Sequence, residues 1–109
     1  MRHKLTLPQL KKYDITQKVI EALADAESRA IIFSTIKKGK TAYDLAETLK
    51  IPLSSVYKKL TDLENLTLIQ MEKYMTTSSG RRLKIYRIRI KKAYIIIKSK
   101  EPEIQLYAN

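Results

Sequence analysis

The chain has 109 residues and a formal net charge of +11, from 22 lysines and arginines against 11 acidic residues, with an ordinary 44% of hydrophobic residues; it reads as one folded domain with a modest core. The absence of cysteine and the single histidine, His3, exclude a disulfide framework and a zinc site of the usual kind. The longest apolar runs, AIIF and AYIII, fall far short of the ~20 residues that span a bilayer, and the start MRHKLTLPQLKK lacks a leader's apolar region and cleavage site, so a cytoplasmic, nucleoid-associated protein is expected.

In chain order, residues 1–13 read as a basic N-terminal arm interrupted by Pro8. From Asp14, Ile15, Val19, Ile20, Leu23 and Ala24 form the wide apolar stripe of a core-facing helix, with the Asp14 carboxylate placed to cap its free amides. Asp25 is placed to cap a second helix, Ala26 to Lys37, whose middle, Ala30 to Phe33, is apolar nearly all round and is expected to be covered on several sides. Lys37 and Lys38 suit its C-terminal end, and Gly39 is expected to stop it. Thr41 opens a third helix, TAYDLAETLK. Thr41 and Asp44 have capping-box spacing, and Ala42, Leu45, Ala46 and Leu49 make one narrow apolar face. The turn Lys50-Ile51-Pro52-Leu53 leads into a fourth helix, to about Leu66, capped by Ser54 or Ser55 and anchored by Val56, Leu60, Leu63 and Leu66.

After Asn65 the period changes. LTLIQMEKYM and RLKIYRIRI have strand character, with MTTSSGRR between them as the loop of a hairpin. Tyr86, Ile88 and Ile90 alternate with Arg87 and Arg89, which predicts one packed face and one that carries arginine into solvent. The tail AYIIIKSKEPEIQLYAN reads as a second small hairpin or one added strand, with a short dimerising helix over residues 92–99 as the alternative. The domain therefore spans 14–92, and 93–109 is a β extension and a candidate dimer contact.

Two short helices joined by a tight turn and followed by a hairpin form an α+β winged helix-turn-helix: three to four helices, a β-hairpin wing and a short β tail. Asp25 and Arg29, Leu45 to Leu49 with its Leu-Ala-x-x-Leu, and Gly80 to Arg82 carry a resemblance to winged helix-turn-helix repressors of the arsenical-resistance regulator (ArsR-like) superfamily, and to its archaeal members in particular. The resemblance covers Leu23 to Ile90 and implies a homodimeric, DNA-binding transcriptional regulator. The superfamily's metal sensors use cysteine pairs or histidine–carboxylate sets that this chain lacks, so no metal and no cofactor is expected. Where relatives often carry a glycine just before the wing, this chain has Thr67. Relatives also often dimerise through a C-terminal helix, whereas the tail here reads as strand.

From Lys73 to Lys100 every charged residue is basic, a one-sided field that points to a polyanion. The partner expected is double-stranded DNA, read sequence-specifically. With the apolar stripe of the fourth helix held inward, Ser54, Ser55, Tyr57, Lys58 and Thr61 populate its outer side. Ser55, Tyr57 and Lys58 are the candidates for base edges in the major groove. Lys59 lies nearer the buried flank, within reach of the DNA backbone only. Thr41 and Tyr43 start the third helix, where free amides favour phosphate. Arg81 and Arg82, with Lys73 and Lys84 on the flanking strands, equip the wing for phosphates or a minor groove; Thr76, Thr77, Ser78 and Ser79 keep its tip supple. Arg29 is assigned to an internal contact. A two-fold dimer through the first helix, or second through the tail, would set half-sites ~34 Å apart. No nucleophile–base pair and no glycine-rich phosphate loop is present, so no enzyme is expected. The alternative is a protein-interaction module or a non-specific architectural (chromatin) DNA-binding module. No membrane role is expected.

Overall fold

The structure, a computed structural model, describes residues 9–97 and 102–108, with side chains from residue 15 onward. Among the described residues the order is α1 (Gln9–Ala24), α2 (Ala26–Ser34), α3 (Ala42–Leu49), α4 (Leu53–Asn65), β1 (Ile69–Thr76), β2 (Arg82–Ile88), β3 (Ile90–Ile97) and β4 (Pro102–Ala108). The molecule is elongated, 53 × 24 × 24 Å. The helices meet around Val19, Ile31, Leu45, Val56, Leu60 and Leu63, all at most 1% exposed, and Leu68 and Ile69 extend this core into the first strand. Burying such side chains is the main stabilising term.

Helix ends show which local signals prevail. α1 begins at Gln9, so Asp14, expected at the N-cap, is an interior position of the helix. Asp25 caps α2 as expected: its carboxylate accepts the Ser28 amide at 2.9 Å. Arg29 reaches back to the Leu23 and Ala24 carbonyls at 3.4 Å, an internal contact with backbone. α2 ends at Ser34, three residues earlier than the apolar pattern predicts, and Gly39 is not its stop. The Thr35 hydroxyl donates to the Ile32 carbonyl at 2.9 Å and closes the turn. The chain then leaves to pair with β2, Lys40 and Tyr86 exchanging two backbone hydrogen bonds of 2.8 and 2.9 Å. Gly39 serves this approach: a Cβ there would collide with Ile85 Cγ2 and stand 3.0 Å from Glu72 Oε1. Phe33, expected to be covered, is 62% exposed.

The capping box of α3 is present. The Asp44 amide donates to Thr41 Oγ1 and the Thr41 amide to Asp44 Oδ2, each at 3.1 Å. α4 starts two to three residues ahead of the expected serine cap: Pro52 is the N-cap, with no side-chain hydrogen bond, and Ser54 and Ser55 fall within the first turn. Proline's preset φ starts the helix without a capping side chain. Two residues take left-handed backbone where glycine is usual, Lys50 at the end of α3 (φ 58°) and Thr67 at the entry to the wing (φ 63°).

β1 and β2 form an antiparallel hairpin running from Ile69 opposite Ile88 to Thr76 opposite Arg82, with a register shift between Met71 and Lys73. The tip is more tightly held than its small polar residues predict. Thr77 donates its amide to the Arg81 carbonyl at 2.8 Å, Arg81 donates its amide to Thr77 Oγ1 at 3.1 Å, and Gly80 turns the chain at φ 85°. Arg87 is not carried into solvent; it donates to Glu72 and to the Ile36 carbonyl, both at 3.2 Å. The tail is a second hairpin in a sheet of its own, β3 pairing β4 from Ile90 opposite Ala108 to Ile97 opposite Pro102. Ile104 and Leu106 of β4 are buried, and β4 packs against α1. The alternative helix over residues 92–99 is replaced by strand, as three consecutive β-branched isoleucines favour.

Candidate nucleic-acid interface

α4 presents three sides. Val56, Leu60 and Leu63 are buried in the core. Tyr57, Thr61 and Glu64, spaced i, i+4, i+7, line a groove of about 360 Å³. Its other wall is Tyr43 at the start of α3 and Arg81, Arg82 and Lys84 from the wing, with Tyr86 at its base. On the remaining flank Lys59 and Asp62 line a separate trench with Asp25 and Glu21. The helix thus separates a basic, wing-side groove from a trench of mixed charge, where Lys18 and Lys59 stand among Glu21, Asp25 and Asp62.

The expected outer residues of α4 divide accordingly. Ser54, Tyr57, Lys58 and Thr61 are exposed, and Ser55 is half-buried. The Thr61 hydroxyl donates to the Tyr57 carbonyl at 3.0 Å, which leaves its lone pairs facing outward. Lys59 is turned away: it is ion-paired with Asp25 at 3.0 Å and Glu27 at 3.6 Å, joining α4 to the start of α2. The Asp25 carboxyl is held down to about 2, first by the Ser28 amide and then by Lys59. Lys59 in turn is pushed up, chiefly by its hydrogen bond to Asp25.

At α3, the Thr41 side chain is 3% exposed and spent in the capping box. Tyr43 is half-buried, and its hydroxyl accepts a hydrogen bond from Arg81 Nη2. The Arg81 guanidinium also lies over the Tyr43 ring, 5.1 Å from its centroid. Arg82 stacks over Tyr74 at 3.9 Å. Such contacts hold each arginine against an aromatic face at about 0.5–1 kcal/mol while leaving further donors free. Lys84 lies opposite Tyr74, on the groove face of the wing. Lys73 lies opposite Ile85, whose side chain packs towards Gly39, so Lys73 belongs to the other face and does not join the cluster.

Tyr74 and Glu64 are parts of this surface that the residue-by-residue reading passed over. Glu64 was legible, since it continues the Tyr57–Thr61 spacing by one turn. Tyr74 was not, because its place under Arg82 depends on strand register. Burial pushes the Tyr57 phenol up, with Tyr43 adding to the shift, and burial followed by Glu64 does the same to Tyr86. Both phenols are therefore neutral near pH 7 and can donate. Among the described residues no group of three His, Cys, Asp or Glu side chains is placed to hold a metal, and no helix is long and apolar enough to cross a membrane.

The architecture is similar to that of several solved proteins. NolR from Sinorhizobium fredii superposes with a TM-score of 0.58 at 16% identity, over 79% of this chain and 80% of that one. The homodimeric winged helix-turn-helix DNA-binding domain of Mb0332 from Mycobacterium bovis gives 0.57 at 17%, over 78% and 75%. The ArsR family transcriptional regulator RHA00566 gives 0.54 at 23%, over 69% and 71%. At these identities the likeness is one of fold, and it is the winged helix-turn-helix fold that the sequence resemblance to arsenical-resistance regulators implies. No curated protein matches the sequence. The profile of the TFIIE alpha subunit family matches residues 14–106, from within α1 to the last residues of β4, and the chain belongs to that family.

Proposed function

We propose that this protein is a winged-helix DNA-binding factor of transcription that grips duplex DNA with α4 in the major groove and the wing on the backbone or in the minor groove. The observation that carries the reading is the single groove in which Tyr57 and Thr61 of α4 face Arg81, Arg82 and Lys84 of the wing. In the roles assigned to them, Ser55, Tyr57 and Lys58 meet base edges, with Ser54 and Thr61 beside them on the outer side of α4. Arg81, Arg82 and Lys84 take phosphates, and the Tyr43 hydroxyl steadies Arg81. Lys59, Thr41 and Lys73 are left out, the first two because their side chains are committed internally. A two-fold dimer is part of the reading, since a module of this size covers few base pairs, and the fold neighbour Mb0332 is described as homodimeric. The protein would work wherever the cell keeps its DNA.

Selection of random duplexes by the purified protein, at about 50 and 200 mM salt, tests this. The expected outcome is an enriched two-fold symmetric site, with affinity falling about 10³- to 10⁵-fold between the two salts if 6–10 phosphates are contacted. Tight low-salt binding without enrichment would replace sequence-specific regulation by architectural binding. The family's description as a subunit favours one second reading, a winged helix that docks a protein partner in a transcription assembly. Partner binding nearly independent of salt, with no duplex affinity, is the outcome that selects it.

A further inference from the structure

The C-terminal hairpin is unfinished as a sheet. β3 is paired on one side by β4 and on the other by no described strand. Two-stranded sheets are marginal alone, and a free apolar edge is a template for another strand. The register places Ala93, Ile95 and Ile97 on the same face as their partners Leu106, Ile104 and Pro102. Leu106 and Ile104 are 0% and 2% exposed, whereas Ile95 and Ile97 are 51% and 82% exposed. One apolar face therefore starts inside the core and runs out past it. Tyr94 is also exposed, its ring held edge-on to Tyr107 at 5.7 Å.

The geometry points to the free edge of β3 as the dimer surface, where a second copy of this chain adds its own β3 antiparallel about a two-fold axis at Tyr94. The run Lys91-Lys92-Ala93-Tyr94-Ile95-Ile96-Ile97 has a basic first half and an aliphatic second half. About that axis Lys92 falls opposite Ile96, Ala93 opposite Ile95, and Tyr94 opposite itself, so no lysine faces a lysine. In-register parallel pairing would stack Lys92 on Lys92, and like charges directly opposite are destabilising. The charge pattern thus selects the antiparallel pairing, which is closed and isologous. The irregularity at Lys91 lies at the end of the paired stretch and limits further growth of the edge. The product is a four-stranded sheet in the order β4–β3–β3–β4, in which Ile95 of each copy lies beside Ala93 of the other and Ile97 beside the aliphatic stem of the other's Lys91. This inference rests on the two-fold reading of the DNA complex above, and it assigns the contact to the tail instead of α1.

Because the chain contains no cysteine, single engineered thiols report the axis directly in the full-length protein. Tyr94→Cys is expected to oxidise to a disulfide-linked dimer, since opposed strand positions lie within disulfide reach. Lys18→Cys, on the exposed side of α1, is expected to stay monomeric on the same gel. The pair Ile95→Lys and Ile97→Lys, at exposed positions, is expected to weaken dimerisation at least about tenfold by sedimentation, with the helical circular dichroism unchanged. Cross-linking through position 18 and not 94 would move the interface to α1 and overturn the inference. A wild-type protein that is monomeric throughout would overturn it too, along with the two-fold part of the DNA reading, while duplex binding by that same monomer would leave the α4-and-wing grip standing. A β3-linked dimer without duplex affinity would do the reverse.

Discussion

Thr67 stands where the backbone asks for glycine. Its φ of 63° is left-handed, a conformation rarely open to a β-branched residue, and its buried Oγ1 has no hydrogen-bond partner among the described residues. Thr67→Gly is therefore expected to stabilise the protein by about 1 kcal/mol, relief of the left-handed cost outweighing the extra chain entropy of glycine; urea denaturation measures it. Asp25 allows a test by pH. Its carboxyl is lowered from 3.8 to about 2, so the stabilisation it brings is complete above the ordinary carboxylate value and is lost as pH falls through about 2. Because the side chain is 45% exposed, solvent screening keeps the effect below about 1 kcal/mol. Carboxyl NMR shifts should titrate near the lowered value in the native chain and move upward in Lys59→Met.

At the scale of elements, the α2–α3 segment is threaded against the wing. Gly39 lies so close to β2 that a methyl group meets Ile85, and the Lys40–Tyr86 backbone pair sits beside it. Gly39→Ala should cost about 1–3 kcal/mol, the usual range for overpacking, read as a lower urea midpoint with unchanged slope. The apolar positions of α3 and α4, the Thr41–Asp44 box and the Asp25 cap were all legible, because each is a contact within one turn of helix. The end of α2 was not legible, because the rival partner that draws the chain away lies in β2. The serine cap of α4 failed for a local reason: Pro52 starts the helix first.

For the molecule as a whole, charge is sorted by α4. Arg81, Arg82 and Lys84 outnumber the single Glu64 on one side, whereas on the other Glu21, Asp25 and Asp62 are nearly balanced by Lys18 and Lys59. A net charge of +11 makes electrostatics strong at long range, but the sorting decides which face meets an anion. The double variant Arg81→Ala, Arg82→Ala is expected to lower the slope of log affinity against log salt by about 2 per protomer and to weaken all duplexes alike. Lys58→Ala should instead relax preference at particular base pairs, by about 1–3 kcal/mol each. Fluorescence anisotropy over a salt series distinguishes the two.

The order of elements, the helix pair, the hairpin wing, the inward stripe of α4 and the positive balance were determined by the sequence itself, because periodicity, caps and charge are properties of neighbouring residues. Only the tertiary structure decided that Lys59 serves Asp25 while Lys58 faces out, that Arg82 rests on Tyr74, and that Lys73 lies on the far face of the wing. Each of these turns on a partner many residues away in the chain, or on a one-residue choice of strand register. Such facts exist only once the hairpin has been laid against the helices.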